Sequence, residues 1–149
     1  MASSELVGVR VEGTGSYLPE RVVTNDDLSK VLDTNDEWIR TRTGISTRHW
    51  AADDQGSVAL AVPAARRAIE DAGVTADEID LIVCTTLTPD YPMPTNAALL
   101  QRALELPNAG GFDINSACSG FVAGFQASSS FVRSGASKCC LLVATEKMS

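Results

Sequence analysis

Histidine is the scarcest chemically versatile residue in this 149-residue sequence, where His49 stands alone. Four cysteines accompany it, Cys84, Cys118, Cys139 and Cys140. None forms a C-x-x-C pair and His49 is remote from all of them in the chain, so the spacing of a metal centre is missing. Positive charge is also in short supply. Twelve Lys and Arg face nineteen Asp and Glu, a net charge of −7, which argues against nucleic-acid and anionic-membrane partners because both need a basic surface. Arg40, Arg42 and Arg48 do form a local basic cluster. No apolar run comes near the roughly 18 residues of a bilayer span. Met-Ala-Ser-Ser-Glu at the N-terminus has neither the basic nor the apolar region of a secretion signal. The expectation is a cytoplasmic protein with reduced thiols.

What is present reads as ordinary single-domain composition, 44% hydrophobic and 21% charged. A chain of this size buries roughly 70% of the surface its unfolded form exposes, enough for a core without staples. There is no internal repeat, low-complexity tract or linker, so residues 1–149 read as one domain. Leu6–Val11 alternates like a strand and runs into Gly13-Thr14-Gly15. Asn25 before Asp26 and Asp27 reads as the N-cap of a short helix through Leu32. Thr34 with Glu37 three residues on reads as a capping box, opening a second short helix that carries Trp38. Over Ser57–Ala72, Val58, Val62, Ala65 and Ile69 recur at helical spacing and Gly73 closes the run. Pro63 falls early enough in it to be tolerated.

Asp80–Thr85 and Cys139–Ala144 are short continuous apolar runs, the pattern of strands buried on both faces, and Gly110–Ile114 reads as a third strand. A proline-rich loop (Pro89, Pro92, Pro94) leads to a helix over roughly Thr95–Leu106, and a longer helix runs from near Cys118 to Ser134. Strand and helix in alternation predict an α/β fold with a mostly parallel sheet and helices on both faces. The last helix carries Phe, Val, Ala, Gly and Ser on nearly all sides with almost no charge before Arg133. A helix apolar all round needs cover all round, and one sheet covers one side, so the chain reads as part of something larger.

Two motifs invite chemistry. Gly13-x-Gly15 after a strand suggests a dinucleotide turn, but the third glycine is absent and Pro19 stands where the helix should start; the two glycines read instead as a loop needing positive φ. Cys118 sits in Asp113-Ile114-Asn115-Ser116-Ala117-Cys118-Ser119-Gly120-Phe121, a strand, then small residues, then a helix start. Unpaired N–H groups and the positive end of the helix dipole favour a thiolate in such a place and can hold an oxyanion when it attacks a thioester carbonyl. Local context leaves two readings open, a nucleophile on a strand-to-helix elbow or a small buried cysteine filling an α/β turn.

The wider pattern is familiar. Gly13–Pro19, Thr24–Leu28, Asp36–Ile45 and Asp113–Phe121 occur in the order and at the spacing of one family. The chain resembles the amino-terminal half of a β-ketoacyl-acyl carrier protein synthase III, a condensing enzyme of the thiolase superfamily. The resemblance implies a thiolase-like half-fold with a mixed, mostly parallel sheet, and a homodimer in the intact enzyme. It implies that Cys118 takes an acyl group from acyl-CoA and that malonyl-acyl carrier protein, after decarboxylation, attacks the resulting thioester to start fatty-acid or polyketide synthesis. No cofactor or metal is implied beyond those substrates.

Trp38 matches the position that stacks on the adenine of CoA, with Arg42 and Thr43 as neighbouring contacts. The competing reading of Trp38 is an aromatic anchoring its helix to the core. Met93 matches a loop residue lining the acyl pocket of the partner subunit, against a loop methionine covering an apolar surface. Arg40 reads as a solvated helix charge. The family's catalytic His and Asn belong to a second half that these 149 residues lack, and the resemblance implies little activity without them. Two alternatives stand beside this one: a non-catalytic half-domain serving as a binding or assembly module, and a chalcone-synthase-like or hydroxymethylglutaryl-CoA-synthase-like condensing enzyme, against which the Trp38–Ile45 block argues.

Overall fold

A computed structural model of the chain describes residues 8–149. They pack as two compact units, Leu18–Gln55 and, with the described residues up to Tyr17, Gly56–Met148.

The smaller unit is built on β1 (Arg21–Thr24) and β2 (Thr47–Trp50), paired antiparallel with Val22 opposite His49. Neither strand is foreshadowed by its short polar sequence, and the lone histidine, His49, lies on β2. Between them run α1 (Asn25–Ser29) and α2 (Asp36–Thr43). The caps fall one residue away from the expected positions. Thr24 caps α1 in a capping box with Asp27, which frees Asn25 to be buried. From there Asn25 donates to Asp36 and to the Ile45 carbonyl and accepts from Arg48. Asn35, not Thr34, caps α2 by accepting from the Trp38 N–H at 2.8 Å; the Thr34 hydroxyl is buried without a partner. In both helices the winner is the side chain whose oxygen reaches the N3 amide from an extended backbone.

The larger unit holds α3 (Ser57–Ala72), β3 (Leu81–Thr85), α4 (Asn96–Ala103), β4 (Gly110–Ile114), α5 (Gly120–Arg133) and β5 (Cys140–Ala144). The three strands form a parallel sheet in the order β4-β3-β5. The chain steps from β3 to β4 in one direction and from β4 across to β5 in the other. Two crossovers of one hand that travel in opposite directions put their helices on opposite faces. Side-chain alternation bears this out. Ile82, Cys84, Leu141 and Val143 join the core with Ala61, Ala65, Ala97 and Leu100 from α3 and α4. Val83, Thr85 and Leu142, on the other face, lie where a Cβ on Gly124 of α5 would land.

Helix α5 is apolar all round, and its packing is inverted. Gly120, Gly124 and Ser128 are the buried residues against the sheet, while Phe121, Val122 and Phe125 are 58%, 68% and 45% exposed. Small residues on the sheet side let the helix come close; the large ones look outward.

Of the strand expected over Leu6–Val11, residues 6 and 7 lie outside the described residues, and residues 8–11 form no ladder. Gly13 and Gly15 are not there for positive φ. A Cβ on either would collide with the backbone of α3, Gly13 against Ala68 and Ala72 and Gly15 against Ala64 and Ala68, so close approach is their reason. Among the described residues no helix is long and apolar enough to cross a membrane, and no cluster of His, Cys, Asp and Glu could hold a metal ion.

Candidate active site

In a parallel sheet the carboxyl ends of the strands share one edge, and that edge is where α/β folds place their ligands. Here β4 ends at Ile114 and the chain turns through Asn115, Ser116 and a single 3-10 turn over Ala117–Ser119 before α5 begins. Ala117 sits at φ 45°, left-handed backbone that a residue with a Cβ seldom adopts. Such strain persists where the surroundings impose it, and it is the geometry of a nucleophile elbow. The turn is fastened from below by the Ser119 N–H and hydroxyl, both donating to the Ser116 carbonyl, and by the Gly120 N–H donating to Ala117. Gly120 is buried over Thr85 at the end of β3.

Cys118 at the centre of this turn is the exposed cysteine of the four; none of them forms a disulfide. That removes the buried-filler reading. No side chain caps the start of α5, so the first-turn amides are not taken up by a serine or aspartate. The other thiols lie in different surroundings. Burial pushes the Cys84 thiol up to about 12, with the charges of Asp113, Glu146 and Asp90 adding to it. Burial also raises Cys139 and Cys140.

The strand leading to Cys118 is locked by a group that sequence reasoning missed. Asp113 accepts from the Asn96 and Ala97 N–H groups, both at 2.8 Å, capping α4 across the sheet face. The signal for it was a lone carboxylate inside an apolar strand. Met93 lies on the loop between β3 and α4 in the same unit, 84% exposed.

Trp38, Arg42 and Thr43 belong to the smaller unit, on α2. Trp38 is 51% exposed, so it does not anchor the helix to a core. The Arg42 guanidinium lies 4.6 Å from its ring centroid, one helical turn on, which presets a flat aromatic–cationic platform. The Thr43 hydroxyl donates to the Ile39 carbonyl and accepts from the Ile45 N–H, tying off the helix end. Arg40 pairs with Asp36 at 3.1 Å on the helix surface, as expected for a solvated charge.

A parallel sheet with helices on both faces is the fold that this chain shares with thiolase-like synthase structures. Residues 112–149 match the family model of 3-oxoacyl-[acyl-carrier-protein] synthase III. The β-ketoacyl-[acyl-carrier-protein] synthase III of Xanthomonas campestris pv. campestris strain 8004 is 55% identical over 145 residues, which cover 97% of this chain and 45% of that protein. The synthase III of Geobacillus kaustophilus is 48% identical over 143 residues, 96% of this chain and 46% of that one. Among solved structures, 3-oxoacyl-[acyl-carrier-protein] synthase III from Aquifex aeolicus superposes with a TM-score of 0.91 at 42% identity, covering 95% of this chain and 46% of its own. The priming β-ketosynthase of the R1128 polyketide pathway gives 0.94 at 41% identity, covering 99% and 44%. The chain is thus similar over nearly its whole length to β-ketoacyl-[acyl-carrier-protein] synthase III relatives, and it spans about 45% of the length of the relatives it matches.

Proposed function

We propose that this chain supplies the nucleophile-bearing half of a β-ketoacyl-acyl carrier protein synthase III. The Cys118 sulfur attacks the carbonyl carbon of an acyl-CoA thioester, the tetrahedral intermediate collapses, and CoA leaves as its thiolate and takes a proton. Malonyl-acyl carrier protein then loses CO2, its carbanion attacks the Cys118 thioester, and the cysteine sulfur departs as a 3-ketoacyl product forms on the carrier protein. First-turn amides of α5 are suited to the oxyanion of either step, because a preorganised donor needs no rearrangement as charge develops. Trp38 and Arg42 are assigned to the nucleotide portion of CoA, the indole for the purine and the guanidinium for ring or phosphate. Thr43 is assigned as their neighbour, and Met93 to the acyl pocket of a partner subunit in a homodimer. The reaction as read needs no metal or cofactor, takes place in the cytoplasm, and draws its remaining polar groups, a His and an Asn, from the second half of the family.

The observation that carries this reading is the exposed Cys118 one residue after the left-handed Ala117. The test is incubation with radiolabelled acetyl-CoA of the product of the complete reading frame. One covalent label that Cys118→Ser abolishes supports the assignment; label retained in Cys118→Ser, or no label at all, refutes it.

A further inference from the structure

We propose that Glu146 is a positioning residue that fixes the start of the β3–α4 loop and thereby sets which acyl chains reach Cys118. The inference rests on the acyl-transfer reading above and adds a residue to it. Glu146 lies two positions past β5. Its carboxylate accepts from the Leu87 N–H at 2.8 Å, the Thr88 N–H at 3.1 Å and the Thr88 hydroxyl at 2.8 Å, with the Thr86 hydroxyl at 3.5 Å. The next residue reinforces the clasp, since the Lys147 N–H donates to Thr88 Oγ1 at 2.9 Å.

The need for such a group follows from the topology. The last ladder bonds at this edge run from the Thr86 N–H to the Ile114 carbonyl and from the Thr145 N–H to the Thr85 carbonyl. Beyond them the amides of Leu87 and Thr88 have no strand to pair with, and Glu146 takes both. The loop it grips leaves the central strand, between the strand that leads to Cys118 and the strand that leads to Glu146. Farther along, Asp90 fastens the same loop to the start of α3 by accepting from the Ser57 N–H, the Ser57 hydroxyl and the Val58 N–H. Held at these two points, the loop still presents Leu87, Tyr91 and Met93 as exposed apolar side chains. An apolar loop discriminates between substrates by acyl length where its side chains line an acyl pocket, the role assigned above to Met93 in a partner subunit, so a shift of its base changes selection more than it changes the thiol.

The test compares Glu146→Ala, Glu146→Gln and Glu146→Asp with the parent, using the product of the complete reading frame and acetyl-, butyryl- and octanoyl-CoA. Rates of Cys118 acylation are followed by intact mass, alkylation of Cys118 by iodoacetamide serves as a reference, and amide exchange at Leu87 and Thr88 reports the clasp. We expect Glu146→Ala to change the octanoyl-to-acetyl rate ratio by about fivefold or more, with faster exchange at the two amides and alkylation unaltered. Glu146→Asp, which keeps both oxygens, should return toward the parent ratio. If Glu146→Ala does not fold, Glu146→Gln carries the comparison, since it keeps one acceptor and loses the other. A parent that is acylated while its variants keep the same chain-length ratio overturns this inference alone. A parent that no acyl-CoA acylates overturns the acyl-transfer reading and this inference with it.

Discussion

Three of the four thiols are held protonated by where they sit. Cys84 is buried with its thiol pushed up to about 12, and burial raises Cys139 and Cys140 as well. The thiolate is the nucleophile, so thiols raised and covered by burial alkylate slowly at neutral pH, while an exposed one stays open to the reagent. We predict a single iodoacetamide adduct at pH 7.5, on Cys118, absent from Cys118→Ser; peptide mapping that finds Cys139 or Cys140 labelled as fast would contradict it. Asp80 gives a second test at this scale, through pH. Desolvation alone would raise its carboxyl, but donation from the Ser137 hydroxyl and the Lys138 and Cys139 N–H groups outweighs it and leaves the pKa lowered. A carboxyl depressed on folding contributes stability that is complete above its unfolded pKa and is lost as pH falls through the folded value. The contribution of Asp80 should therefore fade below about pH 4. Urea midpoints of wild type and Asp80→Asn should differ at pH 7 and converge toward pH 2; a gap constant across that range would rule the clasp out as a source of acid sensitivity.

Among the elements, α5 depends on its small face. A Cβ on Gly124 would stand 2.5 Å from Thr85 Cγ2 and 2.7 Å from Leu142 Cδ1. Alanine is worth about 1 kcal/mol more than glycine inside a helix, whereas overpacking costs about 1–3 kcal/mol. Gly124→Ala should be destabilising by about 1 kcal/mol despite the better helix former, and Thr85→Ser, which removes the obstructing methyl, should recover part of the loss in the double variant. Denaturant melts of the four proteins measure this, and an additive cycle would mean the helix simply moves away. The boundaries of α3 and of the three parallel strands were legible in the sequence because their cores are local runs of apolar residues ended by glycine or a turn. The β1–β2 pair was not. Its strands are four residues each, mostly polar or half-exposed, and held by partners across a long loop. The elbow at Cys118 was legible from small residues between a strand and a helix, but the left-handed Ala117 was not, because alanine carries no signal for that backbone. Trp38 and Arg42 were each singled out, while their stacking follows from a four-residue spacing on α2 that only the folded helix makes plain. Glu146 was invisible because the groups it grips lie 58–60 residues away.

For the chain as a whole, the outward side of α5 is the feature that single-domain logic does not explain. A soluble helix ordinarily turns its large apolar residues to the sheet and its small or polar ones to water. Here Phe121, Val122 and Phe125 face away from the sheet, half or more exposed on average, and Phe121 and Phe125 stack on each other at 6.2 Å between ring centroids. Contiguous apolar surface of this kind marks an interaction face and, when bare, an aggregation risk. The 149-residue chain by itself should bind 8-anilinonaphthalene-1-sulfonate with a clear rise in fluorescence and elute larger than a monomer as its concentration increases. Phe121→Ser combined with Phe125→Ser should lower both, and leave the fold intact because neither ring contributes to the core beneath the sheet. A chain that stays monomeric, melts sharply and leaves the dye dark would mean that the exposed rings are satisfied without a partner, and the inverted packing of α5 would then need another cause.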